Sequence, residues 1–205
     1  MEAEEKTRGL ILERAGERFF QYGFSRVTTD ELAAELGISK KTLYKHFPSK
    51  EELLRSVIQR EMDGIAVRLE QIGSDPQQDF PETLKSLMNL AAAQLAKVSG
   101  PFMRDLHRYA PELWREIDRF RQEMLYDRLG TLILEGQKRG FFRPDIDGRL
   151  ILLIHVQTIQ SIINPETLET LPLRPMAIFE TLIRILYGGL LTDEARERFL
   201  PAAKE

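Results

Sequence analysis

The chain has 205 residues, 42% hydrophobic and 30% charged, with a formal net charge of −3 and no cysteine. That length suits one small and one medium domain with ample core, and the composition is ordinary for a soluble helical protein. The missing thiols exclude disulfides, thiolate metal sites and cysteine redox sensing.

The first predicted helix covers about residues 7–22, with Leu10, Ile11, Ala15 and Phe19 on an inward face. Thr28 and Glu31 have capping-box spacing, so a second helix is expected from there to Leu36. Gly37 can take the left-handed conformation that stops a helix abruptly. Ile38 turns inward, and Ser39 is a good N-cap for a third helix, Lys40 to about His46. Ser49 and Glu52 repeat the capping-box spacing and open a fourth helix running to about Ile72. A polar loop, Ser74 to Phe80, precedes helices at about 81–98, 101–109, 111–139, 147–163 and 175–190, and a short one from 193. Prolines stand near several starts and glycines near several stops. No strand alternation, internal repeat or low-complexity tract is visible, so the expected fold class is all-α.

The segment 28–47 carries the chemistry. Two helices joined by a short turn containing Gly form a helix-turn-helix, whose second helix enters the DNA major groove. At about 100° per residue, Leu43 and Phe47 share one side of the third helix. Leu43 can pack on Leu32, Leu36 and Ile38, while Lys41, Thr42, Tyr44 and Lys45 face away. From Leu36 to Lys50 there are four lysines and no acid. A solvated surface helix is the plainer alternative, but core spacing, caps, turn and local charge agree. Residues 1–50 hold nine of the 29 Lys and Arg and eight of the 32 Asp and Glu, leaving 20 and 24 for residues 51–205. A neutral-to-basic head on an acidic body suits a protein that touches DNA at one end.

Residues 7–54 resemble the DNA-binding domain of the tetracycline-repressor-like (TetR/AcrR) family of bacterial transcription regulators. The resemblance lies in ILERAGERFFQYGF and in VTTDELAAELGISKKTLYKHFPSKEELL, roughly a quarter of the chain. It implies a helix-turn-helix DNA-binding domain over residues 1–50 and a helical effector-binding and dimerisation domain over 51–205. It further implies a homodimer on a near-palindromic operator, most often a repressor that a small molecule releases. On that resemblance Thr28 and Thr29 sit at phosphate contacts, and Lys40, Lys41, Thr42, Tyr44, Lys45 and His46 lie on the recognition helix. Lys50 stands where a lysine meets the DNA backbone. Lysine, threonine and tyrosine suit phosphate, and Lys40 or Lys41 can instead reach guanine O6 and N7. Asp30 departs from relatives that carry a basic residue there; an acid in a first helical turn complements the helix dipole.

The late helices, about 147–163 and 175–190, are apolar around most of their circumference and must be buried on more than one side. Core burial alone satisfies that, and so does a partner subunit; the resemblance favours pairing through these two helices. An effector cavity is expected in the body, with Phe102, Met103, His107, Trp114, Phe120, Met124, His155 and Gln157 as candidate lining, although the same side chains also serve as plain core. His155 lies in an apolar helix and requires a hydrogen-bond partner.

No cofactor or metal is expected, and the chain is expected not to be an enzyme. None of its three histidines has a glutamate three positions before it, as a helical di-iron site needs. His-Glu-x-x-His, Walker and Gly-x-Ser-x-Gly motifs are absent. A ligand-independent DNA-binding regulator or DNA organiser of the same fold is the alternative. The acidic N-terminus MEAEEK lacks signal-peptide order, and the stretch from Leu150 is too short to span a membrane. A soluble, cytoplasmic protein is expected.

Overall fold

The computed structural model describes residues 2–74, 79–162, 167 and 175–199. Among them lie the helices α1 (Glu2–Tyr22), α2 (Thr29–Glu35), α3 (Lys40–His46), α4 (Lys50–Ser74) and α5 (Phe80–Lys97). They continue as α6 (Gly100–Tyr109), α7 (Pro111–Lys138), α8 (Gly148–Ile162), α9 (Pro175–Leu190) and α10 (Asp193–Phe199). The fold is all-α; the described residues add one isolated bridge, between Phe142 and Leu191.

The chain divides into two compact units: residues 1–68 with 97–119, and residues 69–96 with 120–205. The first therefore extends beyond the domain expected over residues 1–50. It takes in most of α4, all of α6 and the start of α7, because side chains of all three share its core.

In this first unit Ile11, Ala15 and Phe19 of α1 meet Leu32 and Ala33 of α2, Leu43 of α3 and Leu53, Leu54 and Val57 of α4. Burying one such Leu, Ile, Val or Phe contributes about 1.5–3 kcal/mol, so this cluster dominates the unit's stability. Phe20 packs edge-on against Phe102 of α6, with centroids 4.9 Å apart. The Ser99 amide donates to Phe20 O at 3.0 Å, and the Ser25 amide donates to Asp105 Oδ2 at 2.7 Å. Leu10 corrects the expected inward face, since it is 49% exposed. The buried arc of α1 runs from Ile11 through Ala15, Phe19 and Leu12 to Phe20, and a position one residue before Ile11 projects from the opposite side. The helix also begins five residues earlier than its periodicity indicated.

The second unit has its own core, in which Phe80, Leu84, Leu132, Ile133, Phe142, Ile151, Tyr187 and Leu191 are buried together. Gly136 is required there by close approach: a Cβ on it would stand 2.4 Å from Phe142 Cδ2 and 2.7 Å from Phe80 Cζ. The Arg143 amide donates to Leu190 O and the Thr192 amide to Phe141 O, both at 3.0 Å, tying the segment after α7 to the end of α9. Of α8, Ile151, His155 and Val156 are buried, whereas Leu150, Leu153 and Ile154 are half exposed on one stripe. On α9, Ile185 is 66% exposed.

Candidate nucleic-acid interface

The helix-turn-helix is built by caps. The Thr28 amide and hydroxyl both donate to Glu31 Oε2 at 2.9 Å, and the Glu31 amide donates back to Thr28 Oγ1 at 3.2 Å. This reciprocal box satisfies amides that a helix start leaves unpaired. These bonds also hold the Glu31 carboxyl below the usual carboxylate range, the Thr28 backbone amide being the largest cause. Gly37 has φ +65, the left-handed conformation expected of it, and the Ile38 amide then donates to Ala33 O at 3.0 Å. Ser39 Oγ accepts the Thr42 amide at 3.0 Å and starts α3. Leu43 is fully buried and Phe47 nearly so, while Lys41, Tyr44 and Lys45 are exposed.

The outer face of α3 is less simply cationic than its sequence implies. Lys40 Nζ donates to Asp30 Oδ2 at 2.8 Å, which raises the lysine above its ordinary pKa. Asp30 is thus an ion-pair partner as well as an acid in the first turn of α2. Lys45 Nζ donates to Glu4 Oε1 of α1 at 2.5 Å, and this bond holds Glu4 below the usual carboxylate range. Lys41 makes no ion pair among the described residues. Arg8, whose role the sequence did not disclose, stacks its guanidinium 4.9 Å from the Phe47 ring centroid at the far end of α3.

Two predicted contacts have altered surroundings. Thr29 is buried, and its hydroxyl lies 3.2 Å from Tyr44 Oη, so its side chain positions the tyrosine rather than standing free. Lys50 is partly buried, with Nζ 4.3 Å from the Phe24 ring centroid. Burial pushes its pKa down, opposed by the nearby charges of Glu51, Asp105 and Glu31. His46 and Thr42 are half-buried, and Thr42 Oγ1 pairs with Ser39 Oγ at 2.8 Å.

The eight candidate effector-lining residues do not form one site within either unit. Phe102, Met103, His107 and Trp114 belong to the first, and Phe120, Met124, His155 and Gln157 to the second. Phe102 is core, against Phe20, and His107 is exposed with its ring edge-on to Trp114 at 6.2 Å. Gln157 is exposed, whereas Met103, Phe120 and Met124 are half-buried. Apolar spacing on a helix does not separate core from cavity wall. His155 Nδ1 lies 2.8 Å from Ile151 O, an acceptor, so Nδ1 carries the proton, and Nε2 has no hydrogen-bond partner among the described residues. Burial holds this imidazole below the usual histidine range. Among the described residues no cluster of side chains could hold a metal ion, and no helix is long and apolar enough to cross a membrane.

A capped two-helix unit in a small helical head, apolar inside and carrying lysine and hydroxyl groups outside, defines a helix-turn-helix DNA-binding regulator. Residues 11–57 match the family described as bacterial regulatory proteins, tetR family. It is 24% identical over 174 residues to the HTH-type transcriptional regulator YvaF of Bacillus subtilis, covering 85% of this chain and 90% of that protein. It is 32% identical over 109 residues to the nucleoid occlusion factor SlmA of Vibrio campbellii, where it spans 53% of this chain and about half, 55%, of that protein. A transcriptional regulator of Saccharomonospora viridis solved in complex with choline shares the fold, with TM-score 0.65 and 20% identity over 92% of this chain and 99% of that one.

Proposed function

We propose that this protein is a homodimeric transcriptional repressor that a small, largely apolar effector releases from a near-palindromic operator. The observation that carries the DNA-binding part is the capped α2–turn–α3 unit, with Leu43 buried beneath and Lys41, Tyr44 and Lys45 exposed above. In this reading Lys40, Lys41, Thr42, Tyr44, Lys45 and His46 meet the major groove, with Thr28 and Lys50 along the phosphates and the buried Thr29 holding Tyr44. The protein acts in the cytoplasm and has no catalytic role.

Dimerisation is assigned to α8 and α9. Leu150, Leu153 and Ile154 share a stripe of α8 and remain half exposed, and Ile185 of α9 is more exposed still. Apolar side chains grouped on one face mark an interaction surface more than scattered ones do. Two symmetric heads then require half-sites one helical turn, about 34–36 Å, or a multiple of that, apart.

Effector response is supported by the choline complex of the Saccharomonospora viridis relative, a small molecule held by the same fold. An effector acts by binding the DNA-free form better than the bound form, since equal affinity for both shifts nothing. The test is selection of bound duplexes from a random library, followed by a thermal-shift screen of apolar compounds. The reading expects an enriched near-palindrome and at least one compound that raises the melting temperature and dissociates the complex. An operator with no responsive compound would favour a ligand-independent DNA organiser, the reading to which the partial match with SlmA points.

A further inference from the structure

Beside the helix-turn-helix, a cleft of about 260 Å³ opens between the α1–α2 connection and α6, lined by Tyr22, Arg26, Arg104, Asp105, Arg108 and Tyr109. Three guanidinium groups thus face one carboxylate. That carboxylate is already engaged, because Asp105 Oδ2 accepts the Ser25 amide at 2.7 Å and fastens α6 to the connection. Arg108 stacks 5.3 Å from the Tyr109 centroid. A guanidinium stacked by its face keeps its in-plane N–H fork for an oxyanion.

The cleft borders the predicted DNA face. Arg26 stands two residues before Thr28, the N-cap of α2. Lys50, at the start of α4, is close enough to feel the charges of both Asp105 and Glu31. On α3 itself two of three lysines are occupied, Lys40 by Asp30 and Lys45 by Glu4. Duplex DNA is bound by neutralising its phosphates, so cations beyond α3 are needed. At about 260 Å³ the space is below the range of about 300–1,000 Å³ typical of whole small-molecule sites, and suits one phosphate group with its water.

We propose that this cleft is an additional backbone site of the DNA-binding head, in which Arg26, Arg104 and Arg108 hold a DNA phosphate outside the bases reached by α3. The inference rests on the DNA-binding reading above and extends its surface to α6. Arginines here fix position and add affinity without sequence preference.

The experiment is equilibrium binding of the full-length protein to duplex DNA across a salt series, for wild type, Arg26→Gln, Arg104→Gln, Arg108→Gln and, as reference, Lys41→Ala. All four positions are exposed, and a melting curve for each variant confirms the fold. A variant that loses a phosphate contact should reduce the slope of log affinity against log salt by about 0.9 in magnitude, equally on selected and random duplexes. The proposal expects this of at least two of the three arginine variants. Wild-type slopes in all three, with a reduced slope for Lys41→Ala, would overturn the cleft assignment and leave the α3 face standing. Wild-type slopes in all four variants would overturn both.

Discussion

Glu4 Oε1 stands 2.5 Å from Lys45 Nζ, joining the first turns of α1 to the recognition helix across 41 positions of sequence. Both side chains are more than 60% exposed, so the pair adds little to stability and much to the local field. A phosphate that binds Lys45 must displace this carboxylate or meet its repulsion. Glu4→Gln should therefore raise duplex affinity about two- to fivefold at low salt, with the gain shrinking as salt increases. Unchanged or weaker binding at 50–100 mM salt, on the order of one Debye length of reach, would show that Lys45 does not meet DNA.

Gly37 and Gly9 each have open space where a Cβ would go, yet they should respond oppositely to alanine. Gly37 has φ +65, where an alanine is strained by about 1–2 kcal/mol. Gly9 is in the interior of α1, where alanine gains about 0.5–1 kcal/mol. Thermal unfolding should show Gly37→Ala melting lower and Gly9→Ala higher than wild type. A stabilised Gly37→Ala would contradict the left-handed turn.

The half-exposed stripe on α8 makes an assembly prediction. Wild type should sediment as a dimer, and Leu153→Glu or Ile185→Glu should give a folded monomer with weakened operator binding. Both positions are exposed within the chain, so the charge costs the single subunit little. Monomeric wild type at micromolar concentration, on the order of a moderate affinity, would count against pairing through α8 and α9.

His155 sets a pH dependence in the second unit. Its imidazole is neutral and buried, with Ile151 O beside Nδ1 and the Tyr187 ring edge-on at 5.4 Å. Burial lowers the histidine and raises the Tyr187 phenol, so neither neighbour supplies a charge that would favour imidazolium. In the window just below the ordinary histidine value of about 6.5, the unfolded chain binds more protons than the folded one. Stability must then fall as pH falls through that window and level off below the folded-state value. His155→Leu should flatten the melting-temperature profile between about pH 7.5 and 5.5. An equally steep profile in the variant would assign the acid sensitivity elsewhere.

The helix-turn-helix was legible in the sequence because its determinants are local. Thr28 and Glu31, Gly37 and Ser39 act within three or four residues, and the Leu32–Leu43 packing follows from helical period. The same locality hid the rest. The bond from Ser25 to Asp105 spans 80 residues and that from Glu4 to Lys45 spans 41, and no spacing rule reports such pairs. Acids at positions 4 and 5, which favour a helix N-terminus, were the available signal that α1 starts early. Of the candidate effector residues, Phe102 and Trp114 pack with the first unit's core and Phe120 and His155 belong to the second, a division that helical period does not report. The split at Arg68 was not visible either, since α4 runs through it without a break.

The central claim is that α3 delivers its outer face to duplex DNA. It is tested most directly by measuring operator affinity against salt for wild type, Lys41→Ala and Lys138→Ala, the last an exposed lysine at the end of α7. The account predicts that Lys41→Ala weakens binding and lowers the magnitude of the slope by about 0.9, while Lys138→Ala matches wild type in both. Equal affinity and slope for all three proteins would contradict it.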